Sequence, residues 1–186
     1  MTMAAGLFDM VDGEGRTVRI RHAVVEDAAA ILLHLTAAGA ETDFLTFGAE
    51  GPGFTLADEQ ESLRLAAASD NRFWILAERD GLVVGNLTFF GGTRPRLRHV
   101  GEFGISVLRE AWGLGLGRRM LEMLIDWARR GGIIRKINLG VAPSNARAIA
   151  LYESLGFVVE GRVSRTVLVN GLLDDTVLMG LPIDPA

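Results

Sequence analysis

Three glycines stand at alternate positions, Gly113, Gly115 and Gly117, immediately ahead of the amphipathic run RRMLEMLIDWARR (118–130). Glycine weakens a helix interior by about 1 kcal/mol relative to alanine, so three of them at a helix start need a reason. The preceding GEFGISVL (101–108) reads as a strand, and Leu121, Leu124, Ile125 and Ala128 follow at helical spacing. A chain patterned in this way turns sharply from a strand into a helix that covers a sheet with one face. The first N–H groups of such a helix have no intrahelical partners and sit at the positive end of its macrodipole. With no side chains at Gly115 and Gly117, an anion such as a diphosphate could approach to hydrogen-bond distance, and Arg118 and Arg119 add charge. A turn that merely lets the helix pack closely on the sheet explains the glycines equally well. Taken alone, the stretch leaves both readings open.

Two familiar phosphate motifs fail. A P-loop needs a Gly-Lys pair, and the chain has none. A dinucleotide fingerprint, G-x-G-x-x-G, would need glycine where Arg118 or Met120 stands.

The remaining pattern gives the order of elements. TVRIRHA (17–23) alternates as a strand, and VVEDAAAILLHLTAA (24–38) is a helix with Ile31, Leu32 and Leu35 on its apolar face. GAETDFLTFGAEGPGF (39–54) is expected to be a mobile loop, followed by a helix over 55–69 capped by Thr55. Residues 72–90 form two strands about the turn RDG, with a loop before the strand at 101–108. After the helix from about Gly115 to Arg130 come a strand (135–142), a helix (144–156) and a closing strand pair (157–181) turned at NG. The fold class is therefore α/β, a mixed central β-sheet flanked by helices, in the order β-α-α-β-β-β-α-β-α-β-β. At 186 residues the chain is expected to hold a lead-in (1–16) and a single domain (17–182).

Composition narrows the chemistry. The absence of cysteine excludes disulfides, thiolate metal sites and a cysteine nucleophile. A net charge of −4 with no long basic run argues against a nucleic-acid partner. No uncharged apolar stretch reaches the roughly 18 residues of a membrane span, and the acidic opening MTMAAGLFDMVDGEGRT does not read as a signal peptide. A cytoplasmic protein is expected. No His/Asp/Glu cluster has metal-ligand spacing, so no metal is expected.

A strand ending in GISV, a G-x-G turn, and then SNARAIALYESLGF behind a further strand resemble the GCN5-related N-acetyltransferase (GNAT) superfamily over most of residues 17–181. The family's pyrophosphate-loop signature, [Q/R]-x-x-G-x-[G/A], reads here Trp112-Gly113-Leu114-Gly115-Leu116-Gly117, with Trp112 departing from the usual Gln or Arg. The second signature, Asn145-x-x-Ala148-x-x-x-Tyr152-x-x-x-Gly156-Phe157, matches without departure.

The resemblance implies acetyl-CoA as co-substrate, held by the backbone of Gly113, Leu114, Gly115, Leu116 and Gly117 with Arg118 and Arg119. It implies a gap between the strands at 101–108 and 135–142, in which the main chain of Ile105 to Val107 pairs with the pantetheine arm and the Val107 N–H meets the thioester carbonyl. It implies that Tyr152 is the general acid for the departing thiolate, where the plain alternative is a half-buried aromatic. Asn145 either contacts the cofactor arm or is simply an N-cap. Glu102 is the candidate base for the incoming ammonium, or a solvated edge charge, with His99 next in line. Ser106 has no assigned role, His22 and His34 read as ordinary surface or helix-face residues, Arg147 as solvated, and Trp74, Trp112 and Trp127 as packing.

The function so implied is transfer of an acetyl group to a primary amine of a small molecule, such as an amino acid or polyamine, by direct attack in a ternary complex. The alternatives are a protein N-terminal acetyltransferase of the ribosomal-protein type, or a non-catalytic acyl-CoA-binding module. A homodimer stays open. Glu41, Asp43 and Glu50, beside Phe44, Phe47 and Phe54, are expected to line the acceptor pocket.

Overall fold

The computed structural model describes residues 8–11 and 15–184. Among them run β1 (Phe8–Val11), β2 (Thr17–His22), α1 (Ala28–Glu41), α2 (Leu56–Ala67), β3 (Arg72–Arg79), β4 (Leu82–Gly91) and β5 (Val100–Val107). Then follow α3 (Leu116–Gly131), β6 (Lys136–Val141), α4 (Ala146–Ser154), β7 (Val158–Val169) and β8 (Leu172–Pro182). From β2 onward the order is the expected one. The strand β1 is an addition: it lies in the segment read as a lead-in and pairs antiparallel with β2. Its four residues were too few to show a period. The rest of that lead-in falls partly outside the described residues.

The eight strands form one sheet in the order β1-β2-β3-β4-β5-β6-β8-β7. Only β5 and β6 run parallel. Both expected tight turns carry the left-handed backbone that Asp-Gly and Asn-Gly favour, Asp80-Gly81 between β3 and β4 and Asn170-Gly171 between β7 and β8. The sheet is packed on both faces. From β3, Phe73 and Ile75 join α3 residues Met120, Leu121 and Leu124, while Trp74 and Leu76 join Ile31 of α1 and Leu63 of α2. Alternation along the strand thus sends successive side chains into two cores.

The α1 helix runs to Glu41, past its expected end at residue 38. The following segment is held against it rather than free: a Cβ on Gly39 would stand 2.1 Å from the Gly48 carbonyl, so the close approach requires glycine. In α2, Thr55 and Asp58 form the capping box, each side chain bonding the other's backbone.

Candidate active site

Strands β5 and β6 pair only from Val100 to Glu102, and beyond Glu102 they separate. Residues Phe103–Val107 therefore face an open gap on one side while β4 pairs with them on the other. The Leu108 N–H donates to the Val84 carbonyl on β4. Amide directions alternate along a strand, so the Val107 N–H points the other way, into the gap.

A cleft of about 840 Å³ opens here. At one end lie Gly113, Gly115, Leu116, Gly117 and Arg118, with Asn145, Arg147 and Tyr152 from α4. The turn into α3 is bare for separable reasons. Gly113 (φ 82°) and Gly115 (φ 76°) hold left-handed backbone that other residues adopt only at a cost. Gly117 does not: its φ is ordinary, and an added Cβ would find only Leu151 Cδ2, at 3.7 Å, and Ile105 Cδ1, at 4.0 Å. Neither backbone nor packing demands glycine there, so a close-packed turn does not explain it. What its missing side chain leaves clear is the cleft. The N–H groups of Leu116, Gly117 and Arg118 have no intrahelical acceptors, because Arg119 is the first whose amide finds one, the Gly115 carbonyl. Unpartnered donors, a bare wall and two nearby guanidiniums fit a diphosphate.

Tyr152 lines the cleft, 7% exposed, its ring packed edge-on against Phe103 and Phe157. Burial pushes its phenol up to about 12. The side chain of Asn145 caps α4, accepting from the Ala148 amide at 3.2 Å, and also lines the cleft. Glu102 lines it from β5, exposed, beside Gly140 of β6. Ile105 and Val107 also line it.

Some expected contributors point elsewhere. Arg119 turns its guanidinium over the Phe8 ring, 3.8 Å from its centroid, and does not line the cleft. Consecutive helical residues diverge by about 100°, so only Arg118 of the pair can face the site. Leu114 packs against the core and does not line the cleft. His99 is exposed and away from it.

The expected acids of the 39–54 loop are occupied. Glu41 accepts from the Arg109 backbone N–H at 2.6 Å, Asp43 from Asn170, and Glu50 from the Gly48 amide. None of the three lines the cleft, whereas Phe44, Phe47 and Phe54 do. The acid that does face it from this side is Glu59 of α2, only 3% exposed.

His34 is no surface residue. It is 3% exposed, bonded through Nδ1 to the Val83 carbonyl at 3.0 Å and through Nε2 to Ser106 Oγ at 2.8 Å. Trp112 does more than pack: its indole N–H donates to the Val107 carbonyl at 2.7 Å, fastening the turn to the end of β5. Arg109 and Arg147 flank its ring at 5.6 and 5.2 Å.

The model of the Acetyltransferase (GNAT) family matches residues 42–157, more than half of the chain. The protein belongs to the GNAT family of acetyltransferases. Among relatives, an L-amino acid N-acetyltransferase, AaaT, of Escherichia coli is 38% identical over 104 residues, covering 54% of this chain and 62% of that protein. The chain thus spans under two thirds of the length of that relative. A GNAT acetyltransferase structure from Streptococcus pneumoniae superposes with a TM-score of 0.85 at 34% identity, covering 89% of this chain and 99% of the other. The structure of the acetyltransferase yncA from Salmonella typhimurium with acetyl-CoA gives 0.78 at 26% identity, covering 91% and 95%.

Both GNAT signatures read in the sequence border the cleft. Gly113, Gly115 and Gly117 line it from the turn into α3, and Asn145, Ala148 and Tyr152 line it from α4 and its cap.

Proposed function

We propose that this protein is an acetyl-CoA-dependent N-acetyltransferase acting on a primary amine of a small molecule, with direct attack in a ternary complex. The observation that carries the reading is the β5–β6 gap into which the Val107 N–H points, with the bare α3 terminus at one end and Tyr152 at its side.

Acetyl-CoA supplies the activated acyl group. The amides of Leu116, Gly117 and Arg118 hold its diphosphate, with Arg118 and Arg147 adding charge. The free edge of β5 at Ile105–Val107 aligns the pantetheine arm, and the Val107 N–H supports charge developing on the thioester oxygen. As the N–C bond forms and the C–S bond breaks, Glu102 takes the amine proton, directly or through water. Tyr152 faces the leaving sulfur. Its phenol, raised to about 12, is a weaker acid than a thiol near roughly 8.5. Full proton transfer from it to the thiolate therefore runs uphill. Tyr152 acts by donating a hydrogen bond to the sulfur and keeping its own proton.

The test is an amine panel with acetyl-CoA, read by release of free thiol and including peptides with free N-termini. Amine-dependent release with small amines supports the proposal. Activity on peptides alone overturns the small-molecule acceptor, and acetyl-CoA binding without release to any amine would make the protein a binding module.

A further inference from the structure

The acceptor side of the cleft is the face covered by α1 and α2. Phe44, Phe47 and Phe54 from the loop, with Trp74 and Phe90 from the sheet, wall it with aromatic rings. Its charged lining, among the described residues, is two carboxylates, Glu59 and Glu102. The cations of the cleft, Arg118 and Arg147, stand at the opposite end beside the α3 and α4 termini. Arg72 lies over the Phe90 ring at 5.3 Å but does not line the cleft.

Glu59 is the unusual member. As a residue it is only 3% exposed, no described residue gives its carboxylate a hydrogen bond or ion pair, and its oxygens open on the cleft rather than being sealed in the core. A buried carboxylate without a partner is strongly unfavourable, and such groups are ordinarily paired. With no partner among the described residues, its carboxylate is left to cleft water or to a ligand that displaces it. A carboxylate on the acceptor would meet two negative groups and no positive one. An ammonium or guanidinium would meet an unsatisfied anion between aromatic faces, where cations are favoured.

We propose that Glu59 is the specificity-determining residue of the acceptor site, and that the acceptor carries a second cationic group besides the reacting amine and no free carboxylate. This rests on the acetyl-transfer reading above. Glu102 then serves the reacting amine on β5, while Glu59 on α2 holds the distal cation, with the intervening carbons against the rings. The acceptor class is a diamine or polyamine, or an amine bearing a guanidinium, rather than a free amino acid.

The experiment compares three acceptors of equal length, 1,4-diaminobutane, 1-aminobutane and 4-aminobutanoate, by kcat/KM in the wild type, Glu59→Gln and Glu59→Asp. The wild type should favour the diamine over the monoamine by about 10- to 100-fold, as for a charge-assisted hydrogen bond, and rank the amino acid last. Glu59→Gln should abolish that preference while leaving the monoamine within about twofold, and Glu59→Asp should retain part of it. Because the Glu59 carboxylate has no partner among the described residues for Gln to lose, the melting temperature of the ligand-free protein at neutral pH should not fall. A wild type preferring 4-aminobutanoate, an equal loss on all three acceptors, or a lowered melting temperature would each overturn the assignment. Calorimetry of 1,4-diaminobutane with the coenzyme A complex separates this inference from the reading beneath it. Glu59-dependent binding without turnover leaves Glu59 assigned and refutes acetyl transfer. Turnover without diamine preference refutes Glu59 alone.

Discussion

Ser106 on β5 and His34 on α1 share a buried hydrogen bond, with Oγ and Nε2 2.8 Å apart. A carbonyl can only accept, so the Val83 oxygen fixes the proton on His34 Nδ1 and leaves Nε2 to accept from the Ser106 hydroxyl. Burial pushes the imidazole below its ordinary range and so favours the neutral ring, while the Val83 bond and the charge of Glu41 offset this only in part. The pair ties α1 to the strand residue next to Val107. The edge that is proposed to meet the thioester is thereby held from the opposite face of the sheet.

Because the folded His34 binds its proton less readily than the unfolded one, the unfolded state takes up more protons below the ordinary histidine value of about 6.5. The neutral pair therefore contributes stability above that pH, and the contribution is lost as pH falls below it. Urea unfolding at pH 7 and pH 5.5 should show a larger loss in the wild type than in His34→Gln, which does not titrate. Equal slopes in the two proteins would show that His34 does not carry the effect. His34→Ala, which orphans the Val83 carbonyl and Ser106, should cost about 1–3 kcal/mol per unsatisfied group at either pH.

Variants at Gly117 should separate folding from the cofactor binding proposed for this turn. Gly117→Ala meets no close neighbour and lies in α3, so it should stabilise the protein by about 0.4–1 kcal/mol. The same methyl narrows the space above the α3 amides, so acetyl-CoA affinity should fall, and Gly117→Glu should abolish binding by setting a carboxylate against the diphosphate. Gly115→Ala should behave oppositely in stability, losing about 1–2 kcal/mol because φ is 76° there. Thermal unfolding and calorimetry on the three variants decide this; unchanged affinity in Gly117→Glu would remove the diphosphate from this turn.

The sequence made the fold legible wherever a local period or turn spoke for itself: the hairpin turns, the apolar stripe of α3, and the two family signatures. The glycine wall of the cleft was legible because glycine placement is visible in a sequence. What stayed hidden depended on side-chain direction. Arg118 and Arg119 look alike on paper, but one turn of 100° sends only the first to the cleft. His34 lies on the buried stripe between Ile31 and Ala38, and Glu59 lies four residues before buried Leu63. Those spacings were available, but a polar residue on an apolar stripe looks like a defect until its partner or its cavity is seen. The acids of the 39–54 loop showed the reverse error, since their charge was visible and their engagement by Arg109, Asn170 and Gly48 was not.

Tyr152→Phe keeps the ring against Phe103 and Phe157 and removes only the hydroxyl. If the phenol lends a hydrogen bond to the departing sulfur, kcat should fall by about 10- to 10²-fold, the worth of a bond to a charged group. Full general-acid catalysis would lose about 10²–10⁴-fold. Coenzyme affinity should hardly change. Because its pKa of about 12 keeps the phenol protonated through the neutral range, kcat should show no ionisation of Tyr152 between pH 6 and about 10. Unchanged turnover in the variant would take Tyr152 out of the chemistry.

Glu102→Gln tests the proton acceptor. The side chain stands on the β5 face that also carries Gly104 and Ser106, lining the same cleft as Tyr152. An amine arriving as ammonium must lose a proton before its lone pair can attack, and a carboxylate within reach can take it, directly or through one water. Glutamine has nearly the same shape but cannot accept that proton. The variant should therefore be slower by about 10²-fold or more near neutral pH. Raising the pH supplies more free amine without help from the enzyme, so the deficit should shrink steadily toward the pKa of the substrate amine. Acetyl-CoA affinity should be unaffected, because Glu102 lies away from the α3 terminus. The measurement is kcat/KM for the amine from pH 6.5 to 10 in both proteins. A Glu102→Gln profile parallel to the wild type at every pH would assign Glu102 to binding or to solvent, and leave proton removal to water.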